Sequence, residues 1–131
     1  ALLRYPEIFH VGVAGAPVTD WKNYDTIYTE RYMRTPKENP DGYRAGSCLS
    51  YAKRLKGKLL LLHGLIDDNV HPANTWQLAD ALQRAGKQFD MMIYPRSKHG
   101  LISHSSSVRW LYLHRHLRPQ PITIKSAGKK D

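Results

Sequence analysis

The chain has 131 residues, 41% of them hydrophobic and 24% charged, with a formal net charge of +9. That is long enough to bury one core and too apolar for a disordered segment, while no apolar run approaches the ~20 residues that cross a bilayer. The positive charge is scattered (Arg31, Arg34, Lys53, Lys58, Arg84, Arg109) apart from a terminal cluster of Lys125, Lys129 and Lys130. No zinc-finger, RNP or glycine-rich phosphate motif accompanies it, so a solvated basic surface is expected rather than a nucleic-acid partner.

Residues 1–5, ahead of Pro6, have the pattern of the last turn of a helix. No basic start followed by an apolar stretch precedes them, so no signal peptide is read. An opening without methionine points to an upstream part that this chain does not contain. Residues 11–17, Val-Gly-Val-Ala-Gly-Ala-Pro, predict a strand of small and β-branched residues. Residues 20–33 predict a helix capped by Asp20, with Trp21, Tyr24, Tyr28 and Tyr32 at helical spacing. A Pro-containing loop over 34–41 leads to a short helix and its exit over 42–51, which holds Cys48. As the lone cysteine, Cys48 excludes an intrachain disulfide and leaves the compartment open.

Residues 57–62 predict a second strand, whose consecutive leucines 59–62 demand burial on both faces, as in a parallel sheet. Residues 72–85 predict a helix with Pro72 in its first turn, Gly86 as its stop, and an apolar face of Ala73, Trp76, Leu78, Ala79 and Leu82. A third strand follows over 89–94. The final helix, over 105–117, carries Val108, Trp110, Leu111, Leu113 and Leu117. Residues 118–131 form a polar, basic tail with little to bury, expected to fray. The alternation of strand and helix places the chain in the α/β class, with parallel strands joined by right-handed crossovers. Three strands alone leave an apolar edge unpaired, so further strands are expected on this sheet.

Polar residues at the carboxyl ends of parallel strands are the place to look for chemistry. The second strand runs into His63-Gly64-Leu65-Ile66-Asp67-Asp68-Asn69-Val70-His71, and the third into Arg96-Ser97-Lys98-His99-Gly100. An acid after one strand and a histidine after the next are the later members of a Ser…Asp…His order. Spacing alone leaves Asp67 and Asp68 both open as the acid. His63 is expected to be a hydrogen-bonded, partly buried residue, and His71, ahead of Pro72, a structural one. No third ligand stands at metal spacing from them, so neither metal nor cofactor is expected. The nucleophile elbow, Gly-x-Ser-x-Gly, does not occur: neither Gly46-Ser47-Cys48 nor the serines over 103–107 have its pattern.

The order of Ala14-Gly15-Ala16-Pro17-Val18-Thr19-Asp20-Trp21, Tyr28-Thr29-Glu30-Arg31-Tyr32-Met33, His63-Gly64-Leu65-Ile66-Asp67-Asp68-Asn69-Val70-His71 and Lys98-His99-Gly100 resembles the prolyl oligopeptidase family of serine peptidases. The likeness is to the C-terminal end of an α/β-hydrolase domain of the dipeptidyl peptidase IV kind, over residues 1–117. It implies Asp67 as triad acid and His99 as base. Asn69 resembles a residue that binds a substrate carbonyl. Val18, Trp21, Tyr24, Tyr28 and Val70 resemble the walls of a proline-sized pocket, with Tyr24 also near the substrate's amino end. Such aromatic walls suit a flat, rigid ring.

The resemblance implies a peptide substrate cleaved after proline or alanine near its N-terminus. The nucleophile, the oxyanion tyrosine and an N-terminal β-propeller would lie outside these residues, so the chain alone is expected to be inactive. It also implies that the final helix joins a homodimer, with Trp110 and Tyr112 as interface residues. The alternatives are another acyl hydrolase of the same fold, such as an acylaminoacyl peptidase or esterase, and a non-catalytic dimerisation scaffold.

Overall fold

In the computed structural model, residues 1–117 are described, and the basic tail over 118–131 lies outside them. Strands β1 (Val11–Gly15), β2 (Lys58–Gly64) and β3 (Asp90–Tyr94) form one parallel sheet in the order β1-β2-β3. The register sets Val13 against Leu60 and Leu62 against Met92; β1 pairs Lys58–Leu62 and β3 pairs Leu60–Gly64, so the middle of β2 is paired on both edges.

The leucines of β2 divide by parity, because successive side chains of a strand point to opposite faces. Leu59 and Leu61 join Leu2, Leu3, Ala52, Leu55, Leu78 and Leu82 in one core. Leu60 and Leu62 join Tyr94 and Tyr112 in a second core on the other face. The first is covered by α3 (Ala73–Arg84) and the 3₁₀ segment Cys48–Arg54, the second by α4 (His104–Leu117).

The aromatic helix expected over 20–33 is broken. Asp20 accepts from the Lys22 amide and starts a 3₁₀ turn, Trp21–Asn23, that ends at an extended Tyr24. Asp25 then accepts from the Tyr28 amide and caps a new helix, α1 (Thr26–Met33). Two cap-forming aspartates five residues apart favour two short elements over one long one. The next helix, α2 (Pro40–Gly46), starts two residues earlier than expected, because Asn39 caps it and Pro40 fits the first helical position.

Other expectations fail on burial. Trp76, assigned to the apolar face of α3, is 39% exposed, while the neighbouring Asn74 and Thr75 are fully buried. Tyr112, expected at an interface, is only 7% exposed and donates its hydroxyl to Asp90 Oδ2 at 3.0 Å. It belongs to the core under β3. Trp110, Leu111 and Leu117 of α4 are exposed. Among the described residues, no helix is long and apolar enough to cross a membrane.

The division of the leucines sets an expected outcome. Leu61→Ala should cost about 2–5 kcal/mol in urea unfolding, as a fully buried leucine in a core that cannot collapse. Met91→Ala, on exposed β3, should cost under ~1 kcal/mol.

Candidate active site

The chain leaves β2 at Gly64 and turns at once into the acidic loop. Asp67 is buried, with none of its side chain accessible. Its Oδ1 accepts the backbone N–H of Asn69 at 2.9 Å and of Val70 at 3.0 Å. Its Oδ2 lies 3.1 Å from Nδ1 of His99, in the loop after β3. A carboxylate only accepts, so Nδ1 carries the proton and Nε2 is left free on a ring that is 46% exposed. Of the two adjacent acids, it is therefore Asp67 that meets His99. Asp68 points away into solvent and receives the Lys98 ammonium at 2.9 Å.

The two loops are brought together by Gly64. A methyl group there would collide with the carbonyl oxygens of Ser97 and Lys98, so only a residue without a side chain lets the His99 loop lie against the end of β2. Backbone bonds complete the junction, with Leu65 donating to the Tyr94 carbonyl and Ile66 to that of Ser97.

The aromatic residues stand beside this pair as a connected group. Trp21 stacks on Tyr28 at 6.2 Å between ring centroids, and Tyr24 meets both edge-on. The Tyr24 hydroxyl donates to Asn69 Oδ1 at 3.0 Å. That contact ties the aromatic group to the acid loop. Val70 is buried, Val18 half-buried, and Tyr28 is 49% exposed. The concavity on this stripe, about 210 Å³, is lined by Trp21, Tyr28, Thr29, Tyr32 and Met33. Val18, Tyr24, Asn69 and Val70 lie outside that lining, so the described residues do not enclose the expected pocket. A larger cavity of about 310 Å³, between Leu2, Cys48 and Leu78, contains neither Asp67 nor His99.

Three buried residues at this site were not singled out in the sequence: Thr19, Asn74 and Thr75. Asn74 Oδ1 accepts the Thr19 amide at 3.1 Å, its own carbonyl accepts the Thr19 hydroxyl, and its Nδ2 donates to the His71 carbonyl. This joins the loop after β1 to the loop after β2. Their only trace in the sequence is a pair of small polar residues in the first turn of an amphipathic helix. His71 is exposed, its Nδ1 accepting the Ala73 amide. His63 is fully buried rather than partly so. Among the described residues, no group of three or more His, Cys, Asp or Glu is placed to hold a metal.

A sequence profile described as the prolyl oligopeptidase family matches residues 1–116. The chain belongs to that family. It is 49% identical over 104 residues to mouse dipeptidyl peptidase 8, covering 77% of this chain and 12% of that protein. It is 46% identical over 103 residues to a probable dipeptidyl-aminopeptidase B of Neurospora crassa, covering 77% and 11%. The crystal structure of Porphyromonas gingivalis dipeptidyl peptidase 4 superposes with a TM-score of 0.84 at 42% identity, covering 88% of this chain and 17% of that one. A putative dipeptidyl aminopeptidase IV from Bacteroides ovatus gives a TM-score of 0.85 at 41% identity, covering the same shares. The chain thus spans about an eighth of the length of its curated relatives. The α/β fold read from the strand–helix alternation is the fold it shares with these dipeptidyl peptidases.

Electrostatics follow from the geometry. Burial pushes the Asp67 carboxyl up, but the Asn69 amide, the His99 imidazole and the Val70 amide together hold it below its ordinary 3.8. The bond from Lys98 likewise lowers Asp68. Because Asp67 titrates lower when folded than when unfolded, its stabilisation is complete above the ordinary value and is lost as pH falls through the depressed one. Asp67→Asn should therefore destabilise at neutral pH by about 1–3 kcal/mol, with the gap to wild type closing below pH ~3.9. Urea unfolding followed from pH 7 to pH 2.5 measures both.

Proposed function

We propose that this chain is the acid- and base-bearing part of a serine peptidase that releases dipeptides ending in proline or alanine from peptide N-termini. The observation that carries the reading is the Asp67–His99 bond at adjacent parallel strand ends, beside the Tyr24–Asn69 contact. The nucleophilic serine and the oxyanion donor would come from polypeptide outside these 131 residues. His99 Nε2 takes the serine proton as the hydroxyl attacks the scissile carbonyl, and returns it to the leaving amine. Asp67 holds the Nδ1–H tautomer and stabilises the imidazolium.

With its oxygen engaged by Tyr24, Asn69 keeps its amide N–H groups to donate to a substrate carbonyl. Trp21 and Tyr28 offer a flat apolar wall to the proline ring. An N-terminal β-propeller would supply recognition of the substrate's amino group. The same geometry serves an acylaminoacyl peptidase or an esterase, and blocked substrates distinguish these. A second reading, a homodimer through α4, is favoured by Trp110, 74% exposed and adjoined by exposed Leu111.

The 131-residue chain alone should not hydrolyse a glycyl-prolyl reporter above background, because it supplies no elbow serine. Grafted in place of the matching segment of mouse dipeptidyl peptidase 8, it should support turnover. In that chimera, His99→Ala should lower kcat/KM by ~10⁴ or more. Tyr28→Ala and Asn69→Ala should each cost roughly tenfold to a hundredfold on Gly-Pro reporters. An active chimera indifferent to His99→Ala would refute the triad, and one that prefers acylated over free N-termini would refute the dipeptidyl reading. For the dimer, sedimentation of the chimera should show Trp110→Glu shifting it toward monomer.

A further inference from the structure

His63, at the penultimate position of β2, is fully buried and takes no part in the proton transfer described above. Its Nε2 lies 2.8 Å from the Val70 carbonyl and 3.2 Å from Asp67 Oδ2, and its Nδ1 lies 2.7 Å from the Thr75 hydroxyl. A carbonyl oxygen only accepts, so Nε2 carries the hydrogen. That N–H is given to the Val70 carbonyl, with the carboxylate oxygen close beside it, and on a neutral ring Nδ1 accepts from Thr75. The tautomer is therefore opposite to that of His99. Two imidazoles thus converge on the same oxygen of Asp67, one buried and one exposed.

We propose that His63 is the positioning residue for the acid. A carboxylate turns readily about its last side-chain bond, where the torsional preference is broad. The amides of Asn69 and Val70 hold only Oδ1. His63 holds, through the Val70 carbonyl, the loop that supplies those amides, and its Nε2 stands 3.2 Å from Oδ2 without bonding it. Oδ2 is thereby left to His99, whose one side-chain partner at Nδ1 is Asp67. A neutral donor does this without cancelling the negative charge that the His99 imidazolium needs. The inference rests on the reading of Asp67 and His99 as triad acid and base.

The test is long-range ¹H–¹⁵N correlation spectroscopy on the complete ¹⁵N-labelled chain near pH 7.5, which reads the tautomer of each histidine. The expected result is an Nε2–H ring at His63 and an Nδ1–H ring at His99. An Nδ1–H or doubly protonated His63 would overturn the positioning role, whatever any variant does. A His99 without Nδ1–H beside an intact Nε2–H His63 would instead overturn the triad reading and, with it, this role. In His63→Phe, solvent exchange of the His99 Nδ1–H should accelerate about tenfold, the loss of one hydrogen bond's support. His63→Gln, which returns an amide donor near the Nε2 position, should restore most of it. Unchanged exchange in a folded His63→Phe chain would refute the proposal. If that variant does not fold, the wild-type tautomer together with His63→Gln decides the matter.

Discussion

Everything here depends on β2 being buried on both faces and paired on both edges. Its leucines serve two cores at once, Leu59 and Leu61 toward α3, Leu60 and Leu62 toward α4. A strand so enclosed cannot slip by one residue without exchanging the two sets of side chains and breaking both ladders. Its end is therefore the best-fixed point of the molecule. The acid loop starts there, and so does the contact between Gly64 and the carbonyls that carry His99.

The site is built outward from that point by backbone and buried polar bonds rather than by surface ion pairs. Asp67 receives two main-chain amides and His99, and His63 holds the carbonyl of Val70 in the same loop. The Asp68–Lys98 bridge beside it is solvent-exposed on both sides, where such pairs contribute little. The aromatic wall is fixed by a different route: Asp20 and Asp25 cap short helices, and Tyr24, left extended between them, reaches Asn69. Breaking the expected long helix is thus what frees Tyr24 to touch the acid loop.

What was legible in the sequence were the features with a short physical range. The run of leucines announced a doubly covered strand, and the strand-end positions of Asp67 and His99 followed from it. The choice of Asp67 over Asp68 came from family resemblance, since two adjacent carboxylates are equivalent to any spacing argument. Helical periodicity misplaced Trp76, and the dimer implied by the family resemblance misplaced Tyr112. Neither shows whether a tyrosine's hydroxyl finds an acid such as Asp90 beneath it. Asn74, Thr75 and Thr19 were invisible for a related reason: their partners lie on other elements, and small polar residues in a helix's first turn ordinarily serve as caps.

The bond between Thr19 and Asn74 spans 55 positions of the chain. Contacts of such separation must repay the closure entropy of the chain between them, which local turns and caps need not do, so they are expected to form later. Helical turns and caps close early, but the join between the loops after β1 and β2 must wait for both strands and α3 to dock. The wall that would grip a substrate and the acid that would orient the base are then completed together, as one of the last acts of folding. A partly folded chain would carry most of its helices and none of its site.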